Sequence, residues 1–382
     1  MTGTAALTIV LTLKDRAPFT ERWLTYAATW LPYRVLVADG GRDQTVPALV
    51  SDARARGLDI EYVRYPYDHS YPDYFAKLED ALSRVTTPFA VMADNDDFFI
   101  ADGLRRAVGF LQTHADFVAC GGQCAIFWMT GQGRPGQVYS DRVEFKCSSQ
   151  YSSDTAETAA RRLRERSLGA NDVFYAVHRT GLLRANFEAV RECSPRDLYL
   201  MEQLVMFLTA IAGKTRQLDT LYIARQQDSP DRSGGEHTRR HGGWYDRMLA
   251  PTWSQDFTRF VECSTRALIR ADDIAEADAR RVVVDAYKAS VAPSLLSDLV
   301  ELPTVSWSMP IVLQVVRKLV NLPRHSWQRR AAQAAYRRAR WLSHDFVRGT
   351  EITAGRAGDV DGEFSPVLKF LTADHSSRTS GT

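Results

Sequence analysis

The first hundred residues alternate between short apolar runs and longer segments with helical spacing. "ALTIVLTL" is apolar and β-branched, and "FTERWLTYAATWL" behind it sets Phe19, Trp23, Tyr26 and Trp30 three or four residues apart, the period of one helix face. "YRVLVADGG" reads as a short buried strand ending in a glycine-rich turn, "TVPALVSDARARG" as a helix stopped by glycine, and "LDIEYVRYP" as a third strand. "YFAKLEDALSRV" is a helix and "PFAVMADNDD" a fourth strand. Short buried strands separated by helices of about ten residues predict βαβ units, hence an α/β fold with a mainly parallel sheet flanked by helices. Such sheets bind ligands beyond the carboxyl ends of their strands. Three of those ends are polar here: Lys14-Asp15-Arg16, Asp39-Gly40-Gly41 and Asp94-Asn95-Asp96-Asp97. Parallel strands bring all of them to one edge.

Beyond residue 100 the alternation loosens. "ADGLRRAVGFLQTH" predicts a helix, "DFVACGGQCAIFWM" a strand running into a polar, glycine-rich stretch, and "NDVFYAVHRTGLLRANFEAV" a strand followed by a helix. "RDLYLMEQLVMFLTAIAGK" is an apolar helix stopped by Gly213, and "TRQLDTLYIARQQ" is a strand. Residues 228–243, "DSPDRSGGEHTRRHGG", have turn composition without hydrophobic period and predict a flexible loop. From Trp244 the pattern is helical. The expected organisation is an α/β domain over residues 1–243, a helical region over 244–365 and a disordered polar tail over 366–382.

Composition narrows the function. With 45% hydrophobic and 25% charged residues the 382-residue chain is ordinary for a globular protein, and its net charge of +2 argues against nucleic acid as a partner. Five cysteines without finger-like spacing predict thiols rather than a zinc site. The N-terminus lacks a basic n-region, and no run reaches the 18 or so apolar residues that span a bilayer, so a cytoplasmic location is expected. From Arg317 to Arg348, nine basic residues face one acidic residue, Asp345, with Trp327, Tyr336, Trp341 and Phe346 interleaved. That segment is either a helix with a solvated basic face or a peripheral contact with anionic lipid at the inner face of the plasma membrane.

The sharpest chemical signal is "PFAVMADNDDFFI", where Asp94, Asp96 and Asp97 stand between two apolar runs. Such a cluster can cap a helix, hold a divalent cation, or supply a carboxylate pair for acid–base chemistry. The apolar flanks favour the cation, because neighbouring like charges at a partly buried site need neutralising. Oxygen ligands of this kind suit Mn2+ or Mg2+.

Over residues 7 to about 225 these motifs resemble the family-2-type glycosyltransferases of GT-A fold, which transfer sugar from a nucleotide-sugar donor. "VMADNDD" resembles that family's DxD motif, which implies that Asp94 contacts the donor ribose and, with Asp96, the metal on the diphosphate; Asn95 lies between them. "LVADGGRDQT" resembles "VVDDGSTDxT", with Asp39 in the second Asp position, facing the nucleobase or ribose, and Ala38 replacing the first. "AKLEDAL" lies where the family has "ARNxGL", placing Lys77 and Asp80 among the donor contacts, and "TLKDRAPF" replaces "PxYN", which puts Arg16 there too. Glu202 stands eleven residues before Gly213, the place of the Asp that deprotonates the acceptor hydroxyl in inverting members, and Asp197 is the fallback. "GANDVFYAVHRTGLL" matches the acceptor-side strand, with Asn171 and Asp172 as acceptor contacts. In the loop after the last core strand, the resemblance implies a metal-binding histidine, His237 or else His241, and phosphate contacts from Arg232, Arg239 and Arg240.

The resemblance thus implies a metal-dependent, inverting glycosyltransferase with a nucleotide-diphosphate sugar donor, UDP-sugar favoured, and a glycan or lipid-linked glycan acceptor. Two competitors remain. A sugar-nucleotide nucleotidyltransferase would carry a glycine-rich basic phosphate loop, which "LTLKDRAPFT" lacks. A non-catalytic binding protein on the same fold would be favoured if Glu202 pointed into the core, or if the carboxylates failed to converge with Asp39.

Overall fold

The structure, a computed structural model, describes residues 6–129, 137–148, 153–168, 173–230, 232–301, 346–348 and 360–373. The predicted alternation opens the chain: β1 (Leu7–Leu13), α1 (Ala17–Trp30), β2 (Arg34–Asp39), α2 (Val46–Ala55), β3 (Ile60–Arg64), α3 (Tyr71–Ser83) and β4 (Phe89–Ala93). There follow β5 (Asp97–Phe99), α4 (Ala101–Thr113), β6 (Phe117–Met129), β7 (Val143–Ser148), α5 (Ala159–Leu168), β8 (Val177–Arg179) and α6 (Thr180–Cys193). The remainder is α7 (Leu198–Ala212), β9 (Lys214–Gln226), α8 (Ser233–His241), α9 (Trp244–Met248), α10 (Trp253–Asp272), α11 (Glu276–Glu301), β10 (Phe346–Arg348) and α12 (Val360–Thr372).

The sheet runs β10-β7-β6-β8-β4-β1-β2-β3, and β9 pairs with β6 and β5. The β4-β1-β2-β3 run is parallel, with Leu11 opposite Ala93 and Leu13 opposite Asp39. β9 joins β6 in parallel, and β5, β7, β8 and β10 add antiparallel pairs. Strand order 4-1-2-3 reverses direction at β1, so right-handed crossovers put α1 and α2 on one face and α3 on the other. α3, α6, α7, α5, α10 and α11 pack in succession as one helical layer. α3 starts sharply because Ser70 and Asp73 form a capping box, in which the Asp73 carboxylate accepts the Ser70 N–H at 3.0 Å.

Two expectations change. Residues 233–241 form α8, whose buried face carries His237, so the 228–243 stretch is not a flexible loop throughout. Residues 366–372 are not a disordered tail: α12 docks on β9 and β7, burying Phe364, Val367 and Leu371, with Phe364 stacked 4.0 Å from Phe145. Trp253, Phe260, Tyr287 and Phe364 share one continuous core with the sheet residues, so packing does not separate the helical region at residue 243. The basic segment, read either as a helix with a solvated basic face or as a lipid contact, lies, up to residue 345, outside the described residues. Among the described residues no helix is long and apolar enough to cross a membrane. The cysteines stand as thiols.

Candidate active site

The acidic cluster forms at the carboxyl edge of β4. One carboxylate oxygen from each of Asp94, Asp96 and Asp97 lies within 4.8 Å of the others. Asp94 is half-buried and accepts from Thr12 Oγ1 at 3.2 Å and from the Tyr175 hydroxyl at 2.6 Å. Thr12 stands at the end of β1, beside the strand that delivers Asp94, so parallel pairing itself brings donor to acceptor. Asp96 is buried and receives Arg16 Nη2 at 3.2 Å on Oδ2, the oxygen that also takes the Ser229 hydroxyl. Asp97 opens β5 and pairs with Arg225 Nε at 2.8 Å.

Burial and the neighbouring Asp96 push the Asp94 carboxyl up, while burial carries Asp97 to about 8. For Asp96, burial is outweighed by Arg16, Ser229 and Arg22, and its pKa falls. Arg22 is fully buried in α1, donates to Val138 O and Gln226 Oε1 at 2.8 Å each, and is drawn down to about 10 by burial. Three guanidiniums, Arg16, Arg22 and Arg225, thus compensate three carboxylates. The all-oxygen donor set and its tight convergence fit a hard divalent cation, with Asp94 and Asp96 as the residues to hold it.

Asp39 lies at the end of β2, two strands from Asp94 and so about 10 Å along the same edge. Its carboxylate is buried and takes Gly41 N at 2.8 Å, the Tyr62 hydroxyl at 2.8 Å and Arg64 Nη1 at 2.7 Å. The carboxylates therefore do converge with Asp39 on one edge. The Gly40-Gly41 turn must be glycine: a Cβ on Gly40 would come within 2.5 Å of the Asp68 carboxylate, and one on Gly41 within 2.4 Å of Asp15 N. Lys77 is buried, and its ammonium is taken by Leu13 O at 2.9 Å and by Asp68. It ties the ends of β1 and the β3–α3 connection together rather than projecting a charge towards a ligand. Burial lowers Lys77 and raises Asp68, each partly offset by the other.

Other expected contacts are placed elsewhere. Asn95 is buried and its amide donates to Thr20 Oγ1 at 3.1 Å, so it anchors the turn to α1. Asp80 accepts from Tyr65 at 2.6 Å and from Arg84 at 2.9 Å on the half-exposed flank of α3, and neither partner belongs to the acidic cluster. His237 is not brought to the carboxylates: it is buried on α8, with Nε2 2.9 Å from Asp197 Oδ2 and its ring against Tyr71 and Tyr199. Formation of α8 turned this side chain inward, where a loop would have left it to reach a cation. His241 is exposed, its ring 4.7 Å from that of His237. Arg232 precedes α8 and donates to Gln227 Oε1 at 3.1 Å; Arg240 pairs with Glu236 at 2.6 Å, and Arg239 is exposed. Asn171 and Asp172 lie outside the described residues.

Asp197 is the N-cap of α7: it accepts Leu200 N at 2.9 Å and is paired with Arg247 at 3.1 Å as well as with His237. Glu202, one turn further on, is half-buried and does not disappear into the core. Its charge adds to the burial that raises the Tyr74 and Tyr175 hydroxyls, the two tyrosines beside Thr12 and Asp94. A separate groove of about 740 Å³, lined by Trp30, Tyr33 and Leu58 among others, shares no residue with the carboxylate cluster.

Sequence reasoning missed Thr12, Tyr175, Ser229, Arg22 and Arg225. Arg22 left a trace, because it stands at helical spacing from Phe19 and Tyr26 on an apolar face, where a charge needs a partner. Arg225 left another, as a charge ending the apolar run "LYIA".

A mainly parallel sheet with an acidic pair and a further strand-end Asp on one edge is the arrangement that the resemblance to GT-A glycosyltransferases implies. Residues 8–191 match the family model described as Glycosyl transferase family 2, and the chain carries a glycosyltransferase domain of that family. No curated protein matches the chain. Among solved structures, S. aureus TarS 1-349 in complex with UDP-GlcNAc is 15% identical over 87% of this chain and 92% of its own, with a TM-score of 0.47. The mannosyltransferase PcManGT from Pyrobaculum calidifontis, in complex with GDP-Man and Mn2+, is 14% identical over 96% of this chain and 87% of its own, with a TM-score of 0.42. At that distance neither likeness bears on what this chain binds.

Proposed function

We propose that this glycosyltransferase moves a sugar, with inversion, from a nucleotide-diphosphate sugar to a hydroxyl of a glycan or lipid-linked glycan, with a divalent cation, Mn2+ or Mg2+, on Asp94 and Asp96. The observation that carries the proposal is the convergence of Asp94, Asp96 and Asp97 at the carboxyl end of β4, one oxygen from each within 4.8 Å of the others, on the sheet edge that also carries Asp39.

The cation, when bound, would neutralise charge building on the diphosphate as the glycosidic bond breaks. The protein's part is to orient the Asp94 carboxyl through Thr12 and Tyr175, to present Arg64 and Tyr62 around Asp39 on the nucleoside side, and to place Glu202 as base for the attacking hydroxyl. Asp39 is braced on three sides, which favours orientation of the nucleoside by this rigid group over a mobile contact. A UDP-sugar is the favoured donor.

Calorimetric titration of the protein with UDP and with GDP, each with and without Mn2+, tests this reading. The expected result is cation-dependent binding of one nucleotide, lost in Asp96→Ala. Absence of binding under every condition would sink it.

A further inference from the structure

Arg16 makes the contact on Asp96 that a cation would make. Its Nη2 lies 3.2 Å from Oδ2, and its side chain is only 17% exposed, with the guanidinium 4.4 Å from the centre of the Phe19 ring. Its Nε is buried with no hydrogen-bond partner among the described residues. The residue is aimed there by an uncommon backbone: Asp15 (φ 60°) and Arg16 (φ 62°) are adjacent non-glycine residues in the left-handed region. Such conformations persist only where the surroundings hold them. Here Asp15 Oδ1 takes Arg42 N at 2.6 Å, and Arg16 O takes Phe19 N at 3.0 Å and Thr20 N at 3.1 Å. The fold therefore holds an unusual turn in place and, at its end, sets one hydrogen bond from a long side chain onto the cation-binding carboxylate.

The other two guanidiniums have different duties. Arg22 is fixed behind Asp96 by two bonds to Val138 O and Gln226, and Arg225 pairs with Asp97 across the strands while covering Tyr175 at 4.3 Å. Arg16 alone of the three hydrogen-bonds to Asp96, a carboxylate of the proposed cation site. A guanidinium and a divalent cation on one carboxylate repel one another strongly.

We propose that Arg16 is a counter-ion gate. In the ligand-free enzyme it occupies Asp96 and keeps affinity for a free divalent cation low. When donor and cation arrive together it leaves Asp96 for the diphosphate, whose oxygens suit a guanidinium better than a carboxylate already neutralised by metal. Cation and nucleotide then bind as a coupled pair, each raising the other's affinity. This rests on the reading that Asp96 holds the cation.

The test is titration of Mn2+ alone, followed by electron paramagnetic resonance of the free ion, into wild type, Arg16→Ala, Arg16→Gln and Arg16→Lys, repeated with saturating UDP or GDP. Removal of a full charge a few ångströms from the ion predicts Mn2+ binding at least about tenfold tighter in the alanine and glutamine variants without nucleotide. Arg16→Lys, which keeps the charge, is expected to stay as weak as wild type. Nucleotide should strengthen Mn2+ binding in wild type far more than in Arg16→Ala. Equal or weaker Mn2+ binding by folded Arg16→Ala and Arg16→Gln, with nucleotide-assisted Mn2+ binding by wild type intact, overturns the gate while leaving the cation site standing. Failure of wild type to bind Mn2+ even with nucleotide overturns both.

Discussion

Arg225 Nε donates to Asp97 Oδ2 at 2.8 Å across the antiparallel β5–β9 pair, where the two residues stand directly opposite in register. The carboxylate side chain is 5% exposed and the guanidinium 30%, so one charge is desolvated and the other holds it from the rim. Burial raises Asp97 to about 8, so Arg225→Met leaves a buried carboxyl that protonates and lacks its hydrogen-bond partner, and a stability loss of roughly 1–3 kcal/mol is expected. Urea denaturation measures it. The double variant Arg225→Met with Asp97→Asn should recover much of the loss, because the uncompensated group goes too. A single variant within about 0.5 kcal/mol of wild type would show that Arg225 does not carry this role.

Tyr175 is expected to matter for chemistry more than for folding. Its hydroxyl is a short donor to Asp94, and a hydrogen bond to a charged group is worth about 1.5–3 kcal/mol. Tyr175→Phe keeps the ring and the Arg225 contact and loses only this bond, so the melting temperature should fall by a few degrees with the fold intact. Catalytic efficiency should fall by about 10- to 100-fold, with weaker Mn2+-dependent nucleotide binding. An unchanged nucleotide affinity would place the hydroxyl outside the cation site's support.

What could be read from the chain beforehand divides along physical lines. The parallel strands were legible because buried runs such as "ALTIVLTL" and "YRVLVADGG" carry their own signal, and strand ends in such a sheet must share an edge. Asp94, Asp96 and Asp39 followed from that edge. Their partners did not, because Thr12, Tyr175, Ser229 and Arg225 reach the cluster through strand register and long-range packing. Lys77 and His237 show the converse. Both were placed by motif and both turned inward, since a buried Asp68 and a buried Asp197 hold them more tightly than solvent would. Residues 233–241 misled because glycine and charge mask a short helix whose only inward anchor is His237.

His178 supplies one part of the pH dependence of folding. It is fully buried in β8, its Nδ1 lies 2.8 Å from Ala176 O, and burial lowers its pKa from 6.5 to about 4. The folded state thus binds fewer protons than the unfolded state between those values. Stability from this group is complete above pH 6.5 and is lost as pH falls towards 4, by up to about 3 kcal/mol. Buried Asp97, raised to about 8, acts with the opposite sign over the same interval, so the test is the difference between proteins: between pH 7.5 and pH 5 the urea midpoint of His178→Gln should shift towards greater stability relative to wild type. Equal shifts in the two proteins would show that His178 does not contribute.

Glu202 and Asp197 occupy the same helix, one turn apart, and their substitutions should separate cleanly. Glu202 is half-buried, and its charge reaches Tyr74 and Tyr175 beside the acidic cluster. If Glu202 is the base, Glu202→Gln should lower kcat by about 10²–10⁴ while nucleotide affinity holds. Asp197 caps α7 and binds His237 and Arg247, both buried, and those partners push its pKa down against the effect of burial. Asp197→Asn removes the negative charge paired with Arg247 and weakens the cap, so stability should fall by roughly 1–3 kcal/mol. Steady-state kinetics and thermal melts on both variants decide the assignment. If Asp197→Asn instead loses turnover with its fold intact while Glu202→Gln keeps it, the base is Asp197, and the helix delivers its carboxylate from the cap rather than from the second turn.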